Sequence, residues 1–266
     1  MRLWKRRSSC VELVFRSVGE RTRDLALELA EKHIRPDALH LIEQVRPHSA
    51  AIDAMLALDL RCEVVVIVDA DCLILEDLRG FVEKNRDPYI AYRVEDRFRG
   101  RLAMGVHVYL RSLLKDMRRV QVKPDDLAYV LRAETRLRRL ALERIGKKKT
   151  LADARILHDH FQSYEDVFAK YGQRELRSRS KERQRAELES AMTRWGDDPD
   201  LLVARAAVAH ARAAVPEGAP AERVRRYILA LPWIAEAEVK TMALPPQEPL
   251  GREEVSQRAA EYGWTV

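Results

Sequence analysis

Two carboxylates one residue apart, Asp69 and Asp71 in Asp69-Ala70-Asp71, close the apolar run Val64–Val68. Side chains on a strand alternate faces, but a chain leaves strand geometry as it passes the end of a sheet, and there the two aspartates can converge on one cation. In open α/β sheets, ligands sit outside the carboxyl ends of the strands. Mg2+ and Mn2+ are hard cations that take oxygen ligands. Such an ion can bridge two phosphates and neutralise a leaving diphosphate. The same triplet also suits a turn or a helix cap, so its meaning depends on the elements around it.

Those elements alternate. Val11–Ser17 reads as a strand, and Gly19-Glu20-Arg21 as a turn. Thr22 can cap a helix that recurs through Leu25, Ala26, Leu29, Ala30 and His33. Ala38–Val45 is a second strand, and Ser49 can cap a helix through Ile52, Met55 and Leu56. Val64–Val68 is the third strand. Its unbroken β-branched run predicts burial on both faces, as at the centre of a parallel sheet. This β-α-β-α-β order predicts an α/β sheet. Beyond it the sequence predicts a short helix from Leu75 to Lys84, strands over Tyr89–Val94 and Gly105–Leu110, and an Arg-rich helix from Asp125 to Arg144. A last short strand, Leu151–Leu157, runs into His158-Asp159-His160. Composition shifts near residue 173. Helical segments follow at Ala186–Trp195, Asp200–Ala214 and Pro220–Leu231, and a loosely attached tail follows Ala243.

Composition narrows the function classes. Hydrophobic residues make up 47% and charged residues 34%, with 48 Lys+Arg against 42 Asp+Glu, a net charge of +6. This suits an anionic ligand or a membrane surface. Aromatics are 6%, with none of the aromatic-basic interleaving that stacks bases, so nucleic acid is not an expected partner. Three cysteines, Cys10, Cys62 and Cys72, at irregular spacing argue against a disulfide framework or a zinc site and make a reducing cytoplasm the default. No apolar run approaches the roughly 20 residues that span a bilayer, so a lipid-linked substrate would be met peripherally, at the inner face of the membrane.

The order of these features resembles the GT-A glycosyltransferases, particularly the family-two-like group. Val11-Glu-Leu-Val-Phe-Arg-Ser-Val-Gly-Glu-Arg-Thr22 is similar to their first strand and polar loop. Leu41-Ile-Glu43 is similar to the second strand with its acidic end, and Ser49-Ala-Ala-Ile-Asp-Ala-Met55 to the small-residue helix. Val64-Val-Val-Ile-Val-Asp-Ala-Asp71 matches the hydrophobic strand that enters the Asp-x-Asp motif. The resemblance implies a Rossmann-like nucleotide-diphospho-sugar transferase sheet flanked by helices over 9–172, with a helical C-terminal extension over 173–266. It implies a hexosyltransferase that moves a sugar from a nucleotide-diphosphate donor to an unknown acceptor, with Mn2+ or Mg2+ as cofactor. The implied metal set is Asp69, Asp71 and His158, with His160 the alternative to His158. Asp71 is the direct ligand, and Asp69 meets ribose or a metal-bound water. Arg16, Ser17, Glu20, Arg21, Glu43, Asp69 and Gly105 are the implied donor contacts, and Lys147, Lys148 and Lys149 could steady the diphosphate. Asp125 and Asp126 lie where the family places an acidic pair, and Glu95-Asp96 is the other candidate for a general base. The Gln-x-x-Arg-Trp of processive synthases is not evident.

Two other functions compete. A haloacid-dehalogenase-type phosphotransferase also sets two aspartates after a strand, but there the motif ends the first strand and here it ends the third. A non-catalytic protein that binds a nucleotide or a partner is the third possibility, because fold does not fix function. The helical extension is open to homodimerisation.

Overall fold

The computed structural model describes residues 10–123 and 125–265. It begins with β1 (Val11–Ser17), α1 (Arg23–Ile34), β2 (Ala38–Glu43), α2 (His48–Ala57) and β3 (Val64–Asp69). Next come β4 (Cys72–Ile74), α3 (Arg79–Val82), β5 (Tyr89–Asp96), β6 (Gly100–Leu110), α4 (Arg111–Arg118), α5 (Leu127–Leu131), α6 (Ala133–Arg144) and β7 (Thr150–His158). Among the described residues five helices follow: α7 (Tyr164–Ser178), α8 (Glu182–Met192), α9 (Pro199–Ala214), α10 (Ala221–Thr241) and α11 (Arg252–Glu261).

The strands form one sheet in the order β2-β1-β3-β6-β5-β7-β4. It is mixed. β1 runs parallel to β2 and β3, but β3 meets β6 antiparallel. Strand β3 is central, as its unbroken apolar run predicts, and the two faces explain the run. Val64, Val66 and Val68 enter the core beneath α1, while Val65 and Ile67 enter the core beneath α2, α4 and α6. The architecture is therefore a mixed α/β sheet with helices packed on both faces.

Several local expectations change. The helix expected over Leu75–Lys84 shrinks to α3, because Cys72–Ile74 joins the sheet as an edge strand on β7. The helix expected over Asp125–Arg144 splits at Arg132, whose φ −152° and ψ 66° are not helical. Helix α2 starts at His48 rather than after a Ser49 cap. Thr22 precedes α1 without capping it. Its hydroxyl donates 2.6 Å to the Ala70 carbonyl instead, tying the loop after β1 to the Asp-x-Asp turn. Cys10 and Cys62 form a disulfide with Cα atoms 5.1 Å apart, against the free thiols expected, so cysteine usage gives no argument for a reducing compartment. No helix among the described residues is long and apolar enough to cross a membrane.

The expected division at 172/173 falls inside α7. Phe168 and Tyr171 pack with α9 and α10, so α7 is the first element of the helical half. Its apolar pattern is interrupted by buried Arg174 and Glu175, which is why it reads poorly from sequence. The tail expected to be loose instead returns to the sheet, where Val255 and Ala259 of α11 share a core with Val11 and Leu13.

One buried ion pair bolts this frame together behind the Asp-x-Asp turn. Arg16 Nη1 on β1 donates 2.9 Å to Glu134 on α6, and Glu134 also accepts from Tyr109 of β6 and from Arg138. Removing one partner of such a pair leaves an uncompensated buried charge. Glu134→Ala should therefore lower unfolding free energy by about 3–5 kcal/mol in chemical denaturation, far more than a surface Glu→Ala change.

Candidate active site

Register brings the site together. β1 and β3 run parallel with Arg16 opposite Asp69, so both end at one edge of the sheet. On the far side of the Asp-x-Asp turn, β7 lies between β4 and β5. Pairing sets His158 opposite Cys72 on one side and opposite Asp96 on the other. The loops after β1, β3 and β7 thus meet at one edge.

The two motif aspartates face different partners. Asp69 accepts from Arg16 Nε at 2.7 Å. Burial pushes its carboxyl up to about 6, against the pull of Arg16 and with the help of Asp71. Asp71 contacts Lys170 of α7, accepts from Cys72 Sγ at 3.3 Å, and lies 3.6 Å from His158 Nε2. Burial opposes its charge, but Lys170 and His158 outweigh burial and hold it below the usual carboxylate range.

His158 is the hub. It is 4% exposed, so its ring has few orientations. Nδ1 is 2.9 Å from Asp96 Oδ2 and 3.4 Å from Asp159 Oδ2, which turns Nε2 toward Asp71. Burial favours the neutral ring, yet Asp159, Asp71 and Asp96 together raise its pKa. Asp96 also accepts the backbone N–H groups of Phe98 and Arg99, so it is fixed from three directions. Lys170 bridges Asp71 and Asp159.

The donors fit a divalent cation. Asp71, Cys72 and His158 each place a ligand atom within 4.8 Å of the others, and so do Asp96, His158 and Asp159. A carboxylate behind the remote imidazole nitrogen is how metal-bound histidines are usually oriented. Asp159 Oδ2 is buried without a hydrogen-bond partner. The carboxylate oxygens suit Mn2+ or Mg2+, whereas the imidazole is a ligand that Zn2+ and the later metals also take. Lys170 is a competitor for the same carboxylates.

The other sequence candidates separate. Ser17 Oγ donates 2.7 Å to Glu20, whose carboxylate also takes the Val18 N–H, closing a tight loop beside Asp71. Burial holds the Glu20 carboxyl above its usual range, with Asp71 adding to the shift. Arg21 is turned to the carbonyls of Phe161 and Glu248, and Glu43 is an exposed partner of Arg23. Gly105 does not present an open wall. A Cβ there would overlap Cys72 Sγ and come within 3.0 Å of His158 Cδ2, so its role is to let His158 sit close. Asp126 caps α5 and pairs with Arg136 at 2.8 Å, a structural role that occupies both oxygens, and Asp125 is exposed on the preceding turn. Glu95 faces Arg101 at 3.9 Å, whereas Asp96 enters the cluster. His160 is buried but turns its ring edge-on to Tyr262. Lys147, Lys148 and Lys149 are exposed after α6. Sequence reading missed Lys170 and Asp159. Asp159 is adjacent to His158, and Lys170 lies on the second turn of the helix that follows.

No protein-family model matches the chain, and no curated protein matches it. Solved structures similar to it include 4-diphosphocytidyl-2C-methyl-D-erythritol synthase from Anaerococcus prevotii, 8% identical, with 56% of this chain and 90% of that one covered at a TM-score of 0.39. The 2-C-methyl-D-erythritol 4-phosphate cytidylyltransferase from Thermus thermophilus is 10% identical over 53% of this chain and 87% of that one, TM-score 0.36. A glycosyltransferase involved in glycosylation of the major capsid of PBCV-1 is 13% identical over 56% and 94%, TM-score 0.36. Likeness this loose carries no activity across.

Two tests follow from the geometry. Gly105 has φ +78°, and an added Cβ meets packed atoms. Gly105→Ala should cost about 2–4 kcal/mol through backbone strain and overpacking. Gly80→Ala, with nothing within 4 Å of the new Cβ, should leave the melting temperature unchanged or slightly raised. The buried histidines set opposite pH dependences. Burial pulls His107 and His160 down to about 3, so below about pH 6.5 the unfolded chain binds protons that the folded chain does not. Their contribution is present above pH 6.5 and should fall by at most about 4 kcal/mol between pH 7 and pH 5. His158 is raised, so its contribution is full below pH 6.5 and lost as pH rises through its folded value. Urea titrations of wild type and His158→Gln at pH 5, 6.5 and 8 separate the two slopes.

Proposed function

We propose that this chain is a metal-dependent transferase acting on a nucleotide-diphospho-sugar, and specifically a glycosyltransferase. The observation that carries the reading is His158, oriented by Asp96 and aimed at Asp71 at the edge where β1 and β3 end. Asp71 and His158 would hold Mn2+ or Mg2+, with Asp159 in reach and Asp69 at the near edge. The ion supplies positive charge for a diphosphate leaving group. The chain's own residues do the rest. Arg16 orients Asp69, and Ser17 and Glu20 fix the loop that would face the nucleotide. Thr22 locks that loop to the Asp-x-Asp turn. Asp126 is tied to Arg136, so the general base of an inverting reaction is better sought among the carboxylates beside Asp71.

Lys170 favours a second reading, a protein that binds nucleotide without turnover. Its ammonium already neutralises Asp71 and Asp159, the role a metal would otherwise take.

A panel of nucleotide-diphospho-sugars with Mn2+ decides between them. Wild type should hydrolyse or transfer from at least one donor, and Asp71→Ala should lower that rate at least about 100-fold. Asp96→Asn should lower it about 10- to 100-fold through the histidine it orients. Equal rates for wild type and Asp71→Ala would remove the metal-site assignment. Calorimetric binding of a nucleoside diphosphate without turnover would favour the second reading.

A further inference from the structure

Beyond Asp71, the same face of α7 carries a row of cations that the proposed chemistry does not use. Lys170, Arg174 and Arg177 stand at i, i+4 and i+7, one helical face about 10 Å long. Lys170 begins the row on Asp71 and Asp159. Arg174 is 6% exposed, yet among the described residues it makes no hydrogen bond or ion pair, and its guanidinium lies 5.5 Å over the Tyr171 ring. Arg177 donates 2.7 Å to the Leu131 carbonyl, which brings it beside Arg132 at the break between α5 and α6. Arg132 has Gln184 as its side-chain partner, at 2.8 Å. From the other side, Phe98 packs against Tyr171 with ring centroids 4.5 Å apart and planes tilted by 45°, and Arg99 follows it in the chain.

Four guanidinium groups, Arg99, Arg132, Arg174 and Arg177, thus gather around one end of the Asp71–His158 cluster. Among the described residues the only carboxylate in contact with any of them is Asp96, 3.2 Å from Arg99, and Asp96 is already bonded to His158. The Nε atoms of Arg99, Arg132 and Arg174 are all buried without partners. Burial and the neighbouring arginines pull Arg132 down to about 10 and Arg177 to about 9. Burial opposes the Arg99 charge, but Asp96 and Asp159 outweigh it and raise its pKa, so among the described residues the charge without a carboxylate partner lies on Arg132, Arg174 and Arg177. Buried charge without a partner is costly, and perturbed groups of this kind cluster at functional sites.

We propose that Arg99, Arg132, Arg174 and Arg177 form an anion subsite for a phosphate or pyrophosphate group, continuous with the Asp71–His158 cluster through Lys170. Guanidinium forks match phosphate oxygens in paired hydrogen bonds, and several arginines near enough to repel one another suit a polyanion better than a single carboxylate. The group is either the diphosphate of the nucleotide donor or a phosphate on the second substrate. The subsite itself does not depend on the transferase reading.

Inorganic pyrophosphate is the probe, with binding measured by calorimetry in EDTA on the full chain. Wild type should bind it at sub-millimolar concentration, and Arg174→Met and Arg177→Met should each weaken it at least about 10-fold. Without ligand, Arg174→Met should melt at or above the wild-type temperature, because it removes an unpaired buried charge; a purely structural arginine would melt lower. Wild type that ignores millimolar pyrophosphate, or variants that bind it as wild type does, overturns the proposal. If Arg174→Met does not fold, the more exposed Arg177→Met decides by the same criterion. Uridine or guanosine diphosphate then identifies the source. Displacement of pyrophosphate assigns the subsite to the donor, and simultaneous binding assigns it to a phosphorylated second substrate. Asp71→Ala should still bind pyrophosphate, so failure of the metal site and failure of this subsite give different results.

Discussion

The orientation of one imidazole ring is the constraint on which this site depends. His158 cannot choose its position, because β7 is hydrogen-bonded on both sides, to β4 through Cys72 and to β5 through Asp96. A one-residue slip of either pairing would turn the ring to the other face of the sheet. With the register fixed, Asp96 takes Nδ1 and leaves Nε2 for Asp71. Gly105 on β6 completes the arrangement by having no side chain where the ring must pass. A three-residue edge strand, a buried carboxylate and a glycine thus act together on one nitrogen atom.

The helical half is part of this site. Helix α7 leaves β7 after a short turn, buries Phe168 and Tyr171 among the later helices, and sends Lys170 back to Asp71 and Asp159. Its polar face therefore belongs to the edge of the sheet and its apolar face to the helical core. Charge is dense here. Asp71, Asp96 and Asp159 meet His158, Lys170 and Arg99 within one buried cluster, where each group is stabilised mainly by its neighbours. Such networks hold geometry well and tolerate substitution poorly.

Much of the sheet half was legible in the sequence, because the cues were local. The β-branched run of β3 shows burial on two faces, and the alternation up to Asp69 gives β1, α1, β2 and α2 in order. The triplet Asp69-Ala70-Asp71 and His158, far apart in sequence, do come together at one edge of the sheet. What stayed hidden depends on distant partners. Thr22 looks like a helix cap, but its hydroxyl finds Ala70. Asp125-Asp126 looks like an acidic pair, but Asp126 is spent on Arg136. Cys72–Ile74 is too short to announce a strand without its partner β7. Helix α7 carries buried charges in its apolar stripe, so its period is blurred, and the division placed at 172/173 cut through it. The placement of Lys170 and the arginines beyond it was unreadable because a helical face matters only once its neighbour is known.

The central claim is that Asp71 and His158 form a cation site whose geometry Asp96 sets. Electron paramagnetic resonance of Mn2+ titrated into the full chain measures this without knowledge of donor or acceptor. Wild type should deplete the free-ion signal with one site per chain. Asp71→Ala and His158→Gln should leave that signal in place, and Asp96→Asn should weaken binding by about 10- to 100-fold. Equal depletion by wild type and Asp71→Ala, or none by wild type at millimolar protein, would contradict the account.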